Sequence, residues 1–135
     1  MIYLLDTDTC SFILKRRPGV AERMRQLAPE DVAVSTVSLA EAWTGAAKTR
    51  DPADTRRAWD HFFKPLRVLD FDARAADRYA SVRAHLERRG KMIGGNDCMI
   101  AAVALAHGLI VVTGNTGEFR RVPRLEVEDW TQVQD

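Results

Sequence analysis

Four short stretches carry the side chains of this chain that could act together. Asp6-Thr7-Asp8-Thr9 follows an apolar run. Glu41 closes Ser38-Leu39-Ala40-Glu41, and Asn96-Asp97 follows a glycine pair. Thr113-Gly114-Asn115-Thr116-Gly117-Glu118 follows a second apolar run. Gathered at one place, such carboxylates suit a hard divalent cation. Mg²⁺ takes oxygen ligands, is held by one or two carboxylates and keeps several waters. Two carboxylates ~4 Å apart repel by roughly 4 kcal/mol at an effective dielectric of 20, so without a cation one of them takes up a proton. Each residue also has a plain structural use. Asp6 can cap a helix, Ser38 to Glu41 fits an S-x-x-E capping box, and Asp97 suits a helix N-terminus. Glu118 reads as a solvated charge and Asn115 as a turn residue. Only convergence raises the chemical reading above these.

Other chemistries fit worse. His61, His85 and His107 lie in separate helical stretches with no H-x-x-x-H spacing, so a zinc site is not indicated. No G-x-S-x-G elbow and no G-x-x-x-x-G-K-[ST] loop is present. Asp6-x-Asp8, followed by Thr9, resembles the nucleophile motif of haloacid-dehalogenase-type phosphatases, with Lys91 and Asp97 left to supply the remaining parts. A receiver-type signalling domain would need a phosphorylatable aspartate at the end of a central strand, and Asp70 is the one available.

The elements that must position these residues alternate between strand and helix. Ile2–Leu5, Val32–Val34, Arg67–Leu69 and Leu109–Val112 are short strand-like runs, and Leu125–Val127 is a fifth at an edge. Between them fall a short helix around Phe12–Leu14, helices over Val20–Leu27, Ser35–Lys48 and Asp51–Lys64, a long helix from Asp72 to Gly90, and an apolar helix from Asn96-Asp97 to His107, stopped by Gly108. Such alternation predicts a parallel sheet covered on both faces, with ligands bound beyond the carboxyl ends of the strands. Asp6, Glu41, Asp97 and the Thr113–Glu118 stretch all map there.

The 135 residues make one domain, 1–135. Apolar residues at 46% and charged residues at 29% exclude a disordered or coiled-coil chain. No apolar run approaches the ~18 residues of a membrane span. The start, Met1 to Asp6, does not read as a signal peptide, and Cys10 and Cys98 form no CxxC, so a reducing cytoplasm with both thiols free is expected. The net charge of +1 gives no global attraction for nucleic acid. The basic charge is nonetheless 16 Arg to 4 Lys. It clusters at Lys15-Arg16-Arg17, Lys48/Arg50, Arg56-Arg57, Arg88-Arg89-Lys91 and Arg120-Arg121/Arg124, where arginine suits bidentate phosphate contacts.

In order along the chain, Leu4-Leu5-Asp6-Thr7-Asp8, Val37 to Glu41, Ile93 to Ala102, Val112 to Phe119 and the tail from Phe119 to Trp130 resemble the PIN domain, and within it the VapC toxins of bacterial VapBC toxin–antitoxin modules. The resemblance spans essentially the whole chain. It implies an α/β/α sandwich with a central, mainly parallel sheet of about five short strands, and a Mg²⁺- or Mn²⁺-dependent endoribonuclease that stops translation by cutting tRNA or ribosomal RNA. Asp6, Glu41 and Asp97 match the family's acidic triad, and Glu118, with Asn115 and Thr113, matches its variable fourth position. The expected catalytic set is therefore Asp6, Glu41, Asp97, Asn115 and Glu118, with Asp6 and Asp97 holding the metal and Thr113 and Asp8 orienting substrate. Asp8 and Gly114 stand where relatives often have Asn. A housekeeping PIN nuclease is the other reading within the family. A VapB-like antitoxin is the implied partner, bringing a basic residue to the acidic pocket, with a toxin homodimer inside the complex. Phe12, Ile13, Trp43, Trp59, Phe62 and Phe63 supply more apolar bulk than a thin helical layer readily buries. They predict a groove for an antitoxin helix or a toxin–toxin interface.

Overall fold

Tyr3–Leu5 forms β1, the middle strand of a five-stranded sheet in this computed structural model, which describes residues 1–131. The other strands are β2 (Val32–Ser35), β3 (Arg67–Leu69), β4 (Ile110–Val112) and β5 (Val127–Glu128). Their spatial order is β3-β2-β1-β4-β5, and every neighbouring pair is parallel. The helices are α1 (Thr7–Leu14), α2 (Pro18–Arg25), α3 (Thr36–Ala47), α4 (Pro52–Phe63), α5 (Ala73–Arg88), α6 (Gly95–His107) and α7 (Thr116–Phe119). The α/β/α sandwich expected from the sequence is the fold observed.

The period of two along each strand divides the core. Leu4, Ala33 and Val111 pack with Val82, Leu86, Ile100 and Ala104 of α5 and α6. Tyr3, Leu5, Val32, Val34 and Val112 pack on the other face with Cys10, Val20, Trp59 and Phe63. Both cysteines are free and buried. Burial pushes the Cys10 thiol well up, so it packs and does not react.

Side-chain caps start most of the helices. Asp6, Ser35, Asp51 and Asp72 each accept a backbone N–H three residues on. The cap at Ser35 corrects the capping box expected at Ser38 to Glu41. Ser38 is fully buried inside the first turn, and Glu41 is free for another use. Gly108 ends α6 in the left-handed conformation, φ 66°. Pro18 opens α2, because its missing N–H costs nothing in the first turn.

The end of α1 is less usual. Arg17 N–H donates to Phe12 O and Arg16 N–H to Ile13 O, both at 2.9 Å. This is the paired closure of a Schellman motif. Its left-handed position, which glycine normally fills, is held by Arg16 at φ 58°. Arg16→Gly is expected to stabilise the protein by about 0.5–1 kcal/mol, read as a higher urea midpoint with unchanged slope. An unchanged or lower midpoint contradicts a strained Arg16.

Candidate active site

The strand order sets where a crevice must open. The chain runs from β1 outward through β2 to β3, then returns to the far side of β1 for β4 and β5. The switch point lies between β1 and β4, and ligands bind outside the carboxyl ends there. Leu5 pairs with Val112, so Asp6 and Thr113, one residue further on, flank that crevice.

Asp6 is 4% exposed. Its Oδ1 accepts from Thr9 N at 2.8 Å, its own N–H donates to Val112 O at 3.0 Å, and the Thr9 hydroxyl donates to the same carbonyl at 3.1 Å. Burial raises the Asp6 pKa, and hydrogen bonds from Thr113 and Thr9 oppose that rise. Thr113, expected to orient substrate, is 1% exposed, and its hydroxyl also accepts from Asn115 N at 2.9 Å. It orients Asp6 and the Asn115 turn, and burial closes it to a substrate.

Asp97 lies in the first turn of α6 and is half-buried. Burial, then the charges of Asp6, Glu118 and Glu41, push its pKa up to about 6, against a hydrogen bond from Asn115. Three carboxylates from three other segments thus act on Asp97, which is the convergence that raises the chemical reading. Asn115 Nδ2 donates to Asp97 Oδ2 at 3.2 Å and also to Glu118 Oε2, spanning the two acids. Glu118 Oε1 accepts from Gly94 N at 3.2 Å, which ties α7 to the start of α6. Asp8 is exposed, adds its charge to Asp6 and lines the rim with Gly114 and Asn115.

Glu41 is held at both oxygens. The Thr7 hydroxyl, 3.0 Å from Ser38 Oγ, donates to Oε1 at 2.6 Å, and Asn96 Nδ2 donates to Oε2 at 3.1 Å. Sequence reasoning missed Thr7, Ser38 and Asn96 as parts of the site. Thr7 and Asn96 adjoin Asp6 and Asp97 in the sequence, but their contacts with Glu41 are long-range.

The donor set fits a hard cation. It is all oxygen and all anionic. The four Arg–carboxylate pairs (Arg25–Glu22, Arg56–Asp60, Arg57–Asp54 and Arg83–Glu87) lie on helix surfaces, and among the described residues none reaches these acids. Among the described residues no three His, Cys, Asp or Glu stand close enough to grip one ion alone. Mg²⁺ needs only one or two carboxylates, and Asp6 and Asp97 are the pair that could supply them. Open grooves flank the acids. One of about 600 Å³ runs past Glu41 and Asn96 to Thr44, Lys48 and Met99. One of about 350 Å³ lies between Asn115, Gly114, Asp8, Phe12 and Arg17.

Other sequence expectations change. Trp59 and Phe63 are core residues at 8% and 5% exposure, while Phe12, Ile13, Trp43 and Phe62 stay half-buried. Arg56 and Arg57 pair with Asp60 and Asp54 within α4, so that cluster is neutralised locally. Asp70 follows β3, an edge strand, which removes the receiver reading. Among the described residues no helix is long and apolar enough to cross a membrane.

The PIN domain family model matches residues 3–125. The chain is 39% identical over 129 residues to the tRNA(fMet)-specific endonuclease VapC of Shigella flexneri, covering 96% of this chain and 98% of that one. Among solved structures, DNA-bound VapBC from Salmonella typhimurium aligns at TM-score 0.91 and 37% identity over 96% of this chain and 98% of that one. VapBC2 from Rickettsia felis, bound to a promoter DNA fragment, aligns at 0.89 and 34% over 96% and 99%.

Proposed function

The chain belongs to the PIN-domain family, among the VapC ribonucleases, and from that premise we propose that it is the RNA-cutting toxin of a toxin–antitoxin module. The observation that carries this is the meeting of Asp6, Glu41, Asp97 and Glu118 at the switch point of the sheet. The family match over nearly the whole chain replaces the phosphatase alternative.

In this reading Asp6 and Asp97 would hold Mg²⁺ or Mn²⁺, which would supply charge to polarise the scissile phosphate and lower the pKa of a water. Glu41, fixed by Thr7 and Asn96, orients the attacking water and accepts its proton. Asn115 keeps Asp97 and Glu118 at a set separation, and Thr113 fixes the Asp6 rotamer. Attack by water leaves 5′-phosphate and 3′-hydroxyl ends. The substrate class is tRNA, and ribosomal RNA is the alternative. The natural partner is a small VapB-like antitoxin, bound against the half-buried apolar side chains of α1, α3 and α4 by a homodimer of single-domain toxins.

Purified protein free of antitoxin is expected to cut RNA with Mg²⁺ or Mn²⁺ and to stop on addition of EDTA. Gel analysis of end-labelled tRNA reads this directly. Cleavage that survives EDTA, or a covalent phosphoaspartate trapped on Asp6, overturns it.

A further inference from the structure

Four carboxylates at one edge repel the phosphates of any RNA brought to them, so the strand needs a cation close beside the acids. Around the 350 Å³ groove, which Asp8 and Asn115 also line, Arg17 is the one cationic lining residue among the described residues. Its guanidinium carbon lies 4.7 Å from the centre of the Phe12 ring. The backbone explains that position. In the Schellman closure of α1, Phe12 and Arg17 are the two residues whose side chains normally make an apolar contact across the helix end. Here the contact is a cation over a ring, which orients the guanidinium plane while leaving its N–H groups free for an anion. Arg17 is exposed and, among the described residues, pairs with no carboxylate. Gly114 completes the seat. A Cβ there would lie 3.9 Å from Phe12 Cε2, in contact with the ring that carries Arg17.

The geometry points to Arg17, oriented by Phe12, as the seat for a backbone phosphate of the RNA next to the scissile one. This deepens the ribonuclease reading and rests on it. Arg17 is a substrate-positioning residue that does not touch the reacting atoms. The strand crosses the carboxyl edge of the sheet from the Arg17 groove, over the acids, into the Glu41 groove that ends at Lys48.

The test uses a fluorescein-labelled single-stranded RNA 20-mer in EDTA, with binding followed by anisotropy from low to moderate salt. Arg17→Ala is expected to bind about tenfold more weakly, with a log–log salt slope shallower by roughly 0.7, the value for one neutralised phosphate on a single strand. Arg17→Lys keeps the slope and binds between the two. Arg67→Ala, on the far edge strand, behaves as wild type. With Mg²⁺ present, Arg17→Ala raises KM and leaves kcat within about twofold. Wild-type affinity and slope in Arg17→Ala overturn the seat, as does weaker binding with an unchanged slope. Loss of affinity for a co-expressed antitoxin alone assigns Arg17 to a protein interface and also overturns it. If the wild-type protein cuts no RNA with either metal, the ribonuclease reading itself falls. If it cuts and Arg17→Ala matches its KM and slope, only the seat falls.

Discussion

Asp97→Asn and Asp6→Asn are each expected to lower RNA cleavage by about 10³-fold or more, a barrier increase of roughly 4 kcal/mol, while the protein stays folded. Of the acids whose charges act on Asp97, Asp6 acts most strongly, and with these two as the metal pair, loss of either leaves a single charge to hold a divalent ion. Folding survives because the local hydrogen bonds do. Asparagine caps a helix about as well as aspartate, so in Asp6→Asn the amide carbonyl can still accept from Thr9 N. In Asp97→Asn the amide carbonyl can likewise still accept from Asn115 Nδ2. Single-turnover cleavage of labelled tRNA reads the activity, and cleavage within tenfold of wild type by either variant refutes the assignment.

The same substitution at Asp97 carries a stability signature that separates loss of metal from loss of fold. The Asp97 pKa is about 6 in the folded protein, against an ordinary carboxylate value of 3.8, because burial and the neighbouring acids disfavour its charge. The folded state therefore binds more protons than the unfolded state between those values. Metal-free stability falls as pH rises through about 4 to 6 and stays lower above that window. Asp97→Asn removes the penalty. After allowance for solvent at this half-exposed side chain and for the lost anion at the start of α6, its metal-free form should gain up to about 1 kcal/mol at pH 7 and nothing at pH 4. Saturating Mg²⁺ should raise the melting temperature of the wild type by ligand linkage and leave the variant unmoved. A variant less stable than wild type in EDTA at pH 7 contradicts the repulsion.

What the sequence makes legible here follows the range of the interactions. Asp6, Asp51 and Asp72 announce themselves because a cap acts over three residues, and the runs at β1, β2 and β4 stand out because burial on both faces leaves no polar alternation. The capping box at Ser38 misleads for the same reason. Ser35 and Ser38 are both chemically able to cap, and only the end of β2, set by pairing Ser35 with Leu69, decides between them. β5 falls at Val127–Glu128, not Leu125–Val127, because its register is fixed by Val111 and Val112 across the sheet. α7 spans four residues and contains Gly117, too short for any period to appear. The contacts of Thr7 and Asn96 with Glu41 cross 34 and 55 positions, and no local pattern encodes them. Asp6, Glu41, Asp97 and Glu118 could be read as candidates from type and strand-end position. The hydrogen-bond network that holds them could not.

That network supports a graded prediction at Glu41. Glu41→Gln keeps the shape of the side chain and removes its capacity to take a proton, so kcat is expected to fall by about 10²–10³-fold, within the range of general-base contributions. Thr7→Val keeps the charge and removes the donor 2.6 Å from Oε1. Glu41 then keeps Asn96 as its single partner and samples other rotamers, for an expected loss of about tenfold in kcat with little change in KM. Thr7→Ser restores the hydroxyl and should recover most of the rate. In Thr7→Val/Glu41→Gln the two losses should not add, because the hydroxyl has no carboxylate left to position. Single-turnover rates on one tRNA substrate resolve all four variants. Equal rates for Thr7→Val and wild type would mean that Glu41 needs no clamp. Additive losses in the double variant would mean that Thr7 acts elsewhere than through Glu41.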